Sequence, residues 1–542
     1  MDYDAILIHP SAIHDFWNKA VFPGLLAYTV DSSTDQFVMP PIGIISIADY
    51  LDRNGYKVLV DNIGERMISD KKLNPEKHIK NLSARVFAVE LHWCVHSQGA
   101  IEAARLCKKL HPEAVVVMGG LTATVFAEEI IRKFEFVDAV IRAEAEKPFV
   151  ALMKVLEQGG GFEGVPNLTF RDSKGKVVSN PLLEPNEDLD EYEFTRLDLL
   201  EPQKAIFTPG MPSHWGIPIC RGCSYNCVGC GGSAYSYKTY LGRKKPAFRS
   251  PKKIIDDLHK LSDQGVQMVF LFQDPRMGGE KYWRRLVKEI RNGKPELLQI
   301  TMELFRPADE EYIRELSRIG MNVALSISPE SLVGEVRRVH GRNYTNEELF
   351  DTLKLCKKYG IPLGVFSMFA LAEDTEETIK ETWKVWEQIC ALNKEVVGET
   401  PVFYSFGPMI LLDPGSLAFD FPEKYGFSLI FDSFEDYYSG ISLPSWHLWM
   451  SYETKRLDKE TIARLFIESI EYSINLREKY GISSAYNADM ARLYFVKANR
   501  LIMDMVDNAM QLEDEGEKLK KLKRLRKYID KNIPYLEPRR WQ

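Results

Sequence analysis

Five short apolar runs, each followed by a stretch of helical length, set the strongest limit on how this chain can fold. They are "DAILIHP" (4–10), "YKVLVDN" (56–62), "RVFAVELHW" (85–93), "AVVVMGG" (114–120) and "VDAVIRAE" (137–144). All are rich in β-branched residues and nearly uniform in polarity, as strands buried on both faces are. Between them lie helical segments such as 99–110 and 122–134. The alternation predicts a parallel, doubly wound α/β sheet with right-handed crossovers. Sheets of this kind bind ligands outside the carboxyl ends of their strands. Those ends carry His9-Pro10-Ser11, His92-Trp93-Cys94, Gly119-Gly120-Leu121-Thr122 and Glu144-Ala145-Glu146. Paired glycines beside a hydroxyl residue let a large ligand approach the backbone closely. No GxGxxG follows the first run, which argues against a nicotinamide or flavin site. A response-regulator-like domain without any cofactor would show the same strand pattern.

At 542 residues the chain is long enough for about three domains. A net charge of −7 argues against nucleic acid as the main partner. Met1 leads almost directly into the first strand with no basic segment, and no apolar run reaches about 18 residues. The expectation is therefore a cytoplasmic protein with no membrane span. Four of the eight cysteines crowd into residues 220–230, and clustered thiols in a reducing compartment read as metal ligands.

That cluster is "CRGCSYNCVGC". Cys223, Cys227 and Cys230 have CxxxCxxC spacing, and Cys220 adds a CxxC in front. Three thiolates so close can hold one face of a [4Fe–4S] cube and leave one iron without a cysteine. The competing reading is a zinc knuckle that uses all four, although structural zinc sites usually draw on two separated pairs. A second βα series follows: strands are predicted at 266–274, 297–305, 322–331, 362–371 and 400–410, with a helix opening in "AFRSPKKIIDDLHKL" ahead of them and helices such as 308–319 and 346–359 between them. Ser250 and Pro251 read as the N-cap and first position of the first of these helices. Such repetition suits a partial barrel with its site at the carboxyl ends of the strands.

The CxxxCxxC loop followed by this βα series resembles the radical S-adenosylmethionine (SAM) enzymes. Their cluster chelates SAM, and loops of this family commonly carry an aromatic residue where Gly229 stands here. The resemblance implies Cys223, Cys227 and Cys230 as cluster ligands, with Cys220 extra. It further implies Tyr225, Gln273, Asp274, Glu303, Ser328, Glu330, Arg338 and Met368 at the SAM site.

A doubly wound domain ahead of such a barrel resembles the cobalamin-binding radical SAM class, over about residues 1–415. The implied layout is a cobalamin-binding domain at 1–165, a linker at 166–200, the barrel at 201–415 and a mainly helical domain at 416–542. The implied cobalamin residues are Pro10, Ser11, His92, Trp93, Cys94, His96, Gly119, Gly120, Thr122, Ala123, Glu144 and Ala145. No DxHxxG occurs in the first domain, so the resemblance implies base-off cobalamin, with the loop after the third strand under cobalt. A histidine of that loop can ligate the metal or pack beside the corrin.

The implied activity is C-methylation of an unactivated sp3 carbon, through methylcobalamin and a 5′-deoxyadenosyl radical, fed by a flavodoxin- or ferredoxin-type donor. In layout the chain is similar to archaeal enzymes that methylate methyl-coenzyme M reductase, so a peptide or protein side chain, such as a glutamine of that enzyme, is the expected substrate. A non-methylating relative that closes rings on a lipid or tetrapyrrole is the alternative.

Beyond residue 415, 459–481 places Ile462, Phe466, Ile470 and Ile474 four apart and stops at Gly481, as an amphipathic helix does. Segments 486–511 and 513–530 also read as helices, the last of them basic. The aromatic stretch 434–450 suits either a substrate channel or core.

Overall fold

The computed structural model describes residues 2–19, 22, 39–204, 206–208, 210–394 and 402–532. Strands β1 (Tyr3–His9), β2 (Val58–Asn62), β3 (Ala84–Glu90), β4 (Val115–Gly119) and β5 (Ala139–Ile141) match the five apolar runs. Their spatial order is β5-β4-β3-β1-β2, all parallel. The order reverses between β1 and β3, so the crevice for a ligand opens at the ends marked by His9 and Glu90.

Three further strands widen this sheet to eight: β6 (Leu168–Arg171), β7 (Val177–Ser179) and β8 (Leu200–Glu201). β6 runs antiparallel to β5, β7 antiparallel to β6, and β8 parallel to β2. Residues 166–200, expected as a linker, thus begin as a hairpin on one edge of the first sheet and cross to its other edge. Acidic and proline-containing composition hid strands only two to four residues long.

The barrel begins one strand earlier than the periodicity suggested, at β9 (His214–Pro218). Two glycine- and proline-flanked residue pairs, β10 (Cys220–Arg221) and β11 (Ala247–Phe248), form a ribbon behind it. Then come β12 (Met268–Phe272), β13 (Gln299–Leu304), β14 (Asn322–Glu330), β15 (Leu363–Phe369) and β16 (Val402–Pro408). The sheet order is β16-β15-β14-β13-β12-β9, parallel throughout. Residues 400 and 401 of the last predicted strand lie outside the described residues. Burial alternates along β13, with Ile300, Met302 and Leu304 packed outward on helices and Gln299, Thr301 and Glu303 facing the bore. Ser250 caps the helix Pro251–Asp263 by accepting from Lys253 N, and Pro251 occupies its first turn, as predicted.

The C-terminal region contains a small hairpin, β17 (Phe427–Leu429) with β18 (Tyr452–Thr454), and then helices Lys459–Lys479, Ala485–Ala491, Ala498–Met510 and Glu515–Asn532. Residues 492–497, inside one predicted helix, form a π-helical turn. The aromatic stretch at 434–450 is core: Tyr437, Trp446 and Trp449 are fully buried. Phe434 and Tyr437 pack on Phe126 of the first domain, while Trp446 packs on Phe466. This region therefore seals the first sheet to the barrel, and the channel alternative does not hold. No helix among the described residues is long and apolar enough to cross a membrane.

Candidate functional site

Local hydrogen bonds set the cysteine loop before any metal is considered. Tyr225 N and Gly232 N donate to the sulfurs of Cys223 (3.4 Å) and Cys230 (3.3 Å). Gly231 N donates to the buried carboxylate of Asp413 at 2.9 Å, and Val228 N to His340 O at 3.4 Å. Gly341 lies under the loop with φ +90°, where a Cβ would stand 2.7 Å from Asn226 O. Gly229 replaces the family's aromatic residue because Met409 fills the space: a Cβ there would meet its Sδ at 2.8 Å.

Burial pushes all three thiols up, Cys227 to about 12, while the Arg342 guanidinium only partly opposes this for Cys223 and Cys227. Thiols so placed lose their protons to a metal. The donor set, three thiols with two N–H···S bonds and no fourth cysteine in the loop, fits a [4Fe–4S] cluster with one open iron. Cys220 is buried in the ribbon at 1% exposure, with its Sγ turned to Gly222 O at 3.7 Å.

The three cysteines open into a cavity of about 980 Å³ between the two sheets. On the barrel side it meets Tyr225, Gln273, Glu303, Ser328 and Glu330, as predicted from the strand ends. Gln273 and Glu330 adopt left-handed backbone conformations at φ +73° and +64°. Burial raises the Glu303 carboxyl to about 7, despite the backbone N–H it accepts from Gln273.

Asp274 and Arg338 do not belong to this cavity. Asp274 is buried and its carboxylate is taken up by Arg276 (2.6 Å) and by the N–H groups of Arg276 and Phe305, so it caps a turn. Arg338 points to solvent from its short helix; the arginine at the cavity is Arg342. Arg342 pairs with Glu330 at 3.3 Å and lies over the rings of Tyr225 and Phe305. Arg338 is on the short helix Gly334–Val339, whereas Arg342 follows the left-handed Gly341 beyond the helix end, a change of direction that residue spacing does not display. Met368 lies on the bore face of β15, 42% exposed, beyond the residues that line this cavity.

From the first domain the same cavity receives His92, Trp93, Leu121 and Thr122. A second, mostly apolar cavity of about 200 Å³ adjoins it, lined among others by His92, Gly119, Gly120, Glu144 and Ala145. His92 borders both, and burial lowers the pKa of its imidazole. Gly120 has φ +117°, and a Cβ there would lie 2.5 Å from Leu91 O. This backbone cradle fits a flat, bulky cofactor with a tail in the apolar slot. Gly120→Ala is expected to lose cobalamin binding and about 1–3 kcal/mol of stability from backbone strain; a cobalamin titration and a urea unfolding curve check both.

Pro10, Ser11, Cys94, His96 and Ala123 line neither cavity. They are buried behind the loops, with Ser11 Oγ donating to Ile13 O and Cys94 Sγ facing Leu412 O. Behind the loop after β3 the structure assembles His9, Glu90 and His96, which the linear pattern did not single out together. Glu90 accepts from the His9 ring at 2.9 Å and from His92 N, so it fixes the loop's path. Burial pushes the Glu90 carboxyl up, but His9 and His96 more than reverse this and hold it at about 2.

Two family models fit the halves of this arrangement. Residues 28–153 match the B12 binding domain and residues 217–384 match the Radical SAM superfamily. The chain thus carries a B12-binding domain followed by a radical SAM domain. Its two matched domains imply a [4Fe–4S] cluster, SAM and cobalamin as cofactors.

Among curated relatives, the chain is 24% identical over 358 residues to an anaerobic magnesium-protoporphyrin IX monomethyl ester cyclase of Rubrivivax gelatinosus. The match covers 64% of this chain and 61% of the cyclase. It is also 24% identical over 354 residues to an uncharacterized methyltransferase of Pyrococcus horikoshii, covering 64% of this chain and 72% of that one. The fold is shared with the radical SAM methyltransferase TsrM from Kitasatospora setae, solved with cobalamin and a [4Fe–4S] cluster. That match has TM-score 0.56 and 17% identity and covers 81% and 84% of the two chains. It is shared as well with the cobalamin-dependent radical enzyme OxsB, at TM-score 0.58 and 13% identity over 97% of this chain and 71% of that one.

Proposed function

We propose that this B12-binding radical SAM protein is a C-methyltransferase acting on an unactivated sp3 carbon, in the first instance of a peptide or protein side chain. One observation carries the reading: a single cavity is lined both by the three loop cysteines and by His92 and Trp93 of the first domain. A cofactor on the first sheet and a cluster on the barrel would thus share one substrate space. When bound, cobalamin supplies a methyl group and cluster-bound SAM supplies a hydrogen-abstracting radical.

The chain's own residues position and protect. Cys223, Cys227 and Cys230 would hold the cluster. Tyr225, Gln273, Glu303, Ser328 and Glu330 would orient SAM, with Arg342 braced on Glu330. The Gly119–Gly120 turn, Thr122 and the Glu144–Ala145 corner would seat cobalamin, with His92 and Trp93 among the side chains that would hold it at the shared cavity. In the described part of the cavity no acid–base dyad stands apart from these groups, and hydrogen abstraction by a radical needs none.

The layout it shares with archaeal enzymes that act on methyl-coenzyme M reductase makes a glutamine of that protein the first substrate to try. The cyclase relative favours a second reading, ring closure on a tetrapyrrole or lipid with the same two cofactors. Anaerobic reconstitution with iron, sulfide and hydroxocobalamin tests the shared part: about four irons and one cobalamin per chain are expected, and zinc without iron would sink both readings. Product mass separates them, since methylation adds CH2 and oxidative ring closure removes two hydrogens. A flavodoxin or ferredoxin is the proposed reductant.

A further inference from the structure

The bore of the half-barrel carries an arrangement that cofactor binding does not account for. Strand register places Gly216, Phe270, Thr301 and Ala324 in one transverse row. The next row holds Pro218 beside Phe272, and Glu303, Ser326, Gly364 and Phe403 in continuous register. Polar side chains thus occupy the two middle strands, while phenylalanines stand on the flanking ones.

Phe272, Phe366 and Phe403 remain 36%, 37% and 42% exposed. Large apolar side chains left that open on the concave side of a sheet signal a binding surface. Two glycines make room for the rings. A Cβ on Gly216 would stand 2.3 Å from the Phe272 ring, and one on Gly364 would stand 2.6 Å from Phe403 and 2.8 Å from Phe366. Phe270 leans on Phe272 with centroids 4.9 Å apart, and Phe366 meets Phe403 edge-on at 6.0 Å. Phe270, Phe272 and Thr301 line the same cavity as the cysteines, so this wall reaches the cluster side, while Phe366 and Phe403 stand farther along the bore, outside that lining.

The charge in the bore is nearly silent. Glu330 is paired with Arg342, and burial raises the Glu303 carboxyl to about 7, so that it carries only part of its charge at neutral pH. No lysine or arginine lies on the bore face of the described part of these strands.

We propose that the bore takes the substrate by an uncharged, apolar, ring-bearing portion held between a Phe270–Phe272 wall and a Phe366–Phe403 wall. The inference rests on the function proposed above and adds the chemistry of what is bound. An anionic body there would lose its hydration with no bore-facing lysine or arginine to meet it, whereas a flat apolar one gains contact with the phenylalanine rings.

The test uses protein loaded with cluster and cobalamin, titrated calorimetrically with naphthalene-2-carboxamide and with 2-naphthoate, which share a shape and differ by one charge. Expected are one site per chain, a negative heat-capacity change, and at least about tenfold tighter binding of the amide. The Phe272→Ala/Phe403→Ala pair is expected to weaken the amide by about tenfold or more. Should that pair fail to fold, Phe272→Leu/Phe403→Leu keeps the apolar volume, removes only the ring faces, and is expected to weaken the amide about threefold. Binding of neither probe, equal binding of both, or unchanged affinity in the variants overturns the inference. Binding seen only when cobalamin is left out would assign the walls to the corrin and overturn it too. Iron and cobalamin counts on the same wild-type sample report separately on the proposed function: a protein that lacks them fails that reading, and one that holds them but ignores the amide fails only this one.

Discussion

Replacing Cys223, Cys227 and Cys230 together with alanine is expected to abolish iron binding, from about four irons per chain to none, while Cys220→Ser keeps the full count. The contrast follows from position. The three loop sulfurs open into the large cavity, two of them already accepting N–H bonds. Cys220 lies in the β10–β11 ribbon, paired across to Phe248, with its sulfur against Gly222 O. Burial raises every one of these thiols and so does not discriminate among them. Iron analysis and the absorption spectrum after reconstitution read the result. Iron kept by the triple variant, or lost from Cys220→Ser, would bring back the zinc-knuckle type of ligation in which Cys220 takes part.

The second large effect concerns the joint between the domains. Arg221, two residues before Cys223, reaches into the first domain and donates to Glu144 (3.3 Å), to both oxygens of Glu146 and to Ser46 (3.2 Å). Arg243 adds a bidentate-like grip on Glu144 at 2.6 and 2.9 Å. The side chains are nearly enclosed: Arg221 is 15% exposed, Glu146 2% and Arg243 0%. Arg221→Met leaves the buried Glu146 carboxylate without its cation and is expected to cost about 3–5 kcal/mol. A lower urea midpoint measures the loss, and cobalamin retention measures the damage to the apolar slot, which both residues line.

This joint has a pH signature with a definite sign. Burial pushes the Glu146 carboxyl up, but the charge and hydrogen bonds of Arg221, with one from Ser46, hold it below its ordinary value. A folded-state pKa below the unfolded one means that the unfolded chain binds more protons in the acid range. The contribution of Glu146 is therefore complete above about pH 4.5 and is lost as pH falls through the lowered value. Glu90, held at about 2, adds to the same trend over about pH 4.5 to 2. In Arg221→Met the two largest opposing influences on Glu146 are gone, and burial, the largest of all, is met only by the Ser46 and backbone hydrogen bonds. The sign is therefore expected to reverse, and the variant to regain stability as the carboxyl takes up its proton. The gap between wild type and Arg221→Met is thus expected to be widest near neutral pH and to narrow toward about pH 4; a gap that widens on acidification would contradict the clamp.

Much of the fold was legible in the chain because long-range pairing left a local trace. Strands β1–β5 are buried on both faces, so their residues are uniformly apolar, and β12–β15 alternate in register with helices whose caps can be read, such as Ser250. β6–β8 were not legible, since they are two to four residues long and gain their hydrogen bonds from an edge that the sequence does not display. The strand β9 escaped for a similar reason: "HWGIP" contains Gly216 and Pro218, residues that a strand accepts here only because Phe272 needs the space and β9 is an edge.

The site divides along the same line. Spacing drew attention to the cysteine cluster, because ligands crowded into eleven residues are a local fact, and the family resemblance chose Cys223, Cys227 and Cys230 among them. The same resemblance, read with the strand ends, drew out Gln273, Glu303, Ser328 and Glu330, because a parallel sheet puts every such end on one side. What only the tertiary structure decided is which polar groups are free to meet a ligand. Asp274 is consumed by Arg276, Arg338 gives way to Arg342 beyond the helix end, and Ser11 and His96 turn inward. The His9–Glu90–His96 cluster, the Arg221 clamp and the phenylalanine walls join residues from distant parts of the chain, as far apart as Arg221 and Ser46 at 175 positions. Sequence fixes which side chains are available and the local geometry they start from; packing fixes their partners, since a buried charge or ring is settled by whatever the fold brings within a few ångströms of it.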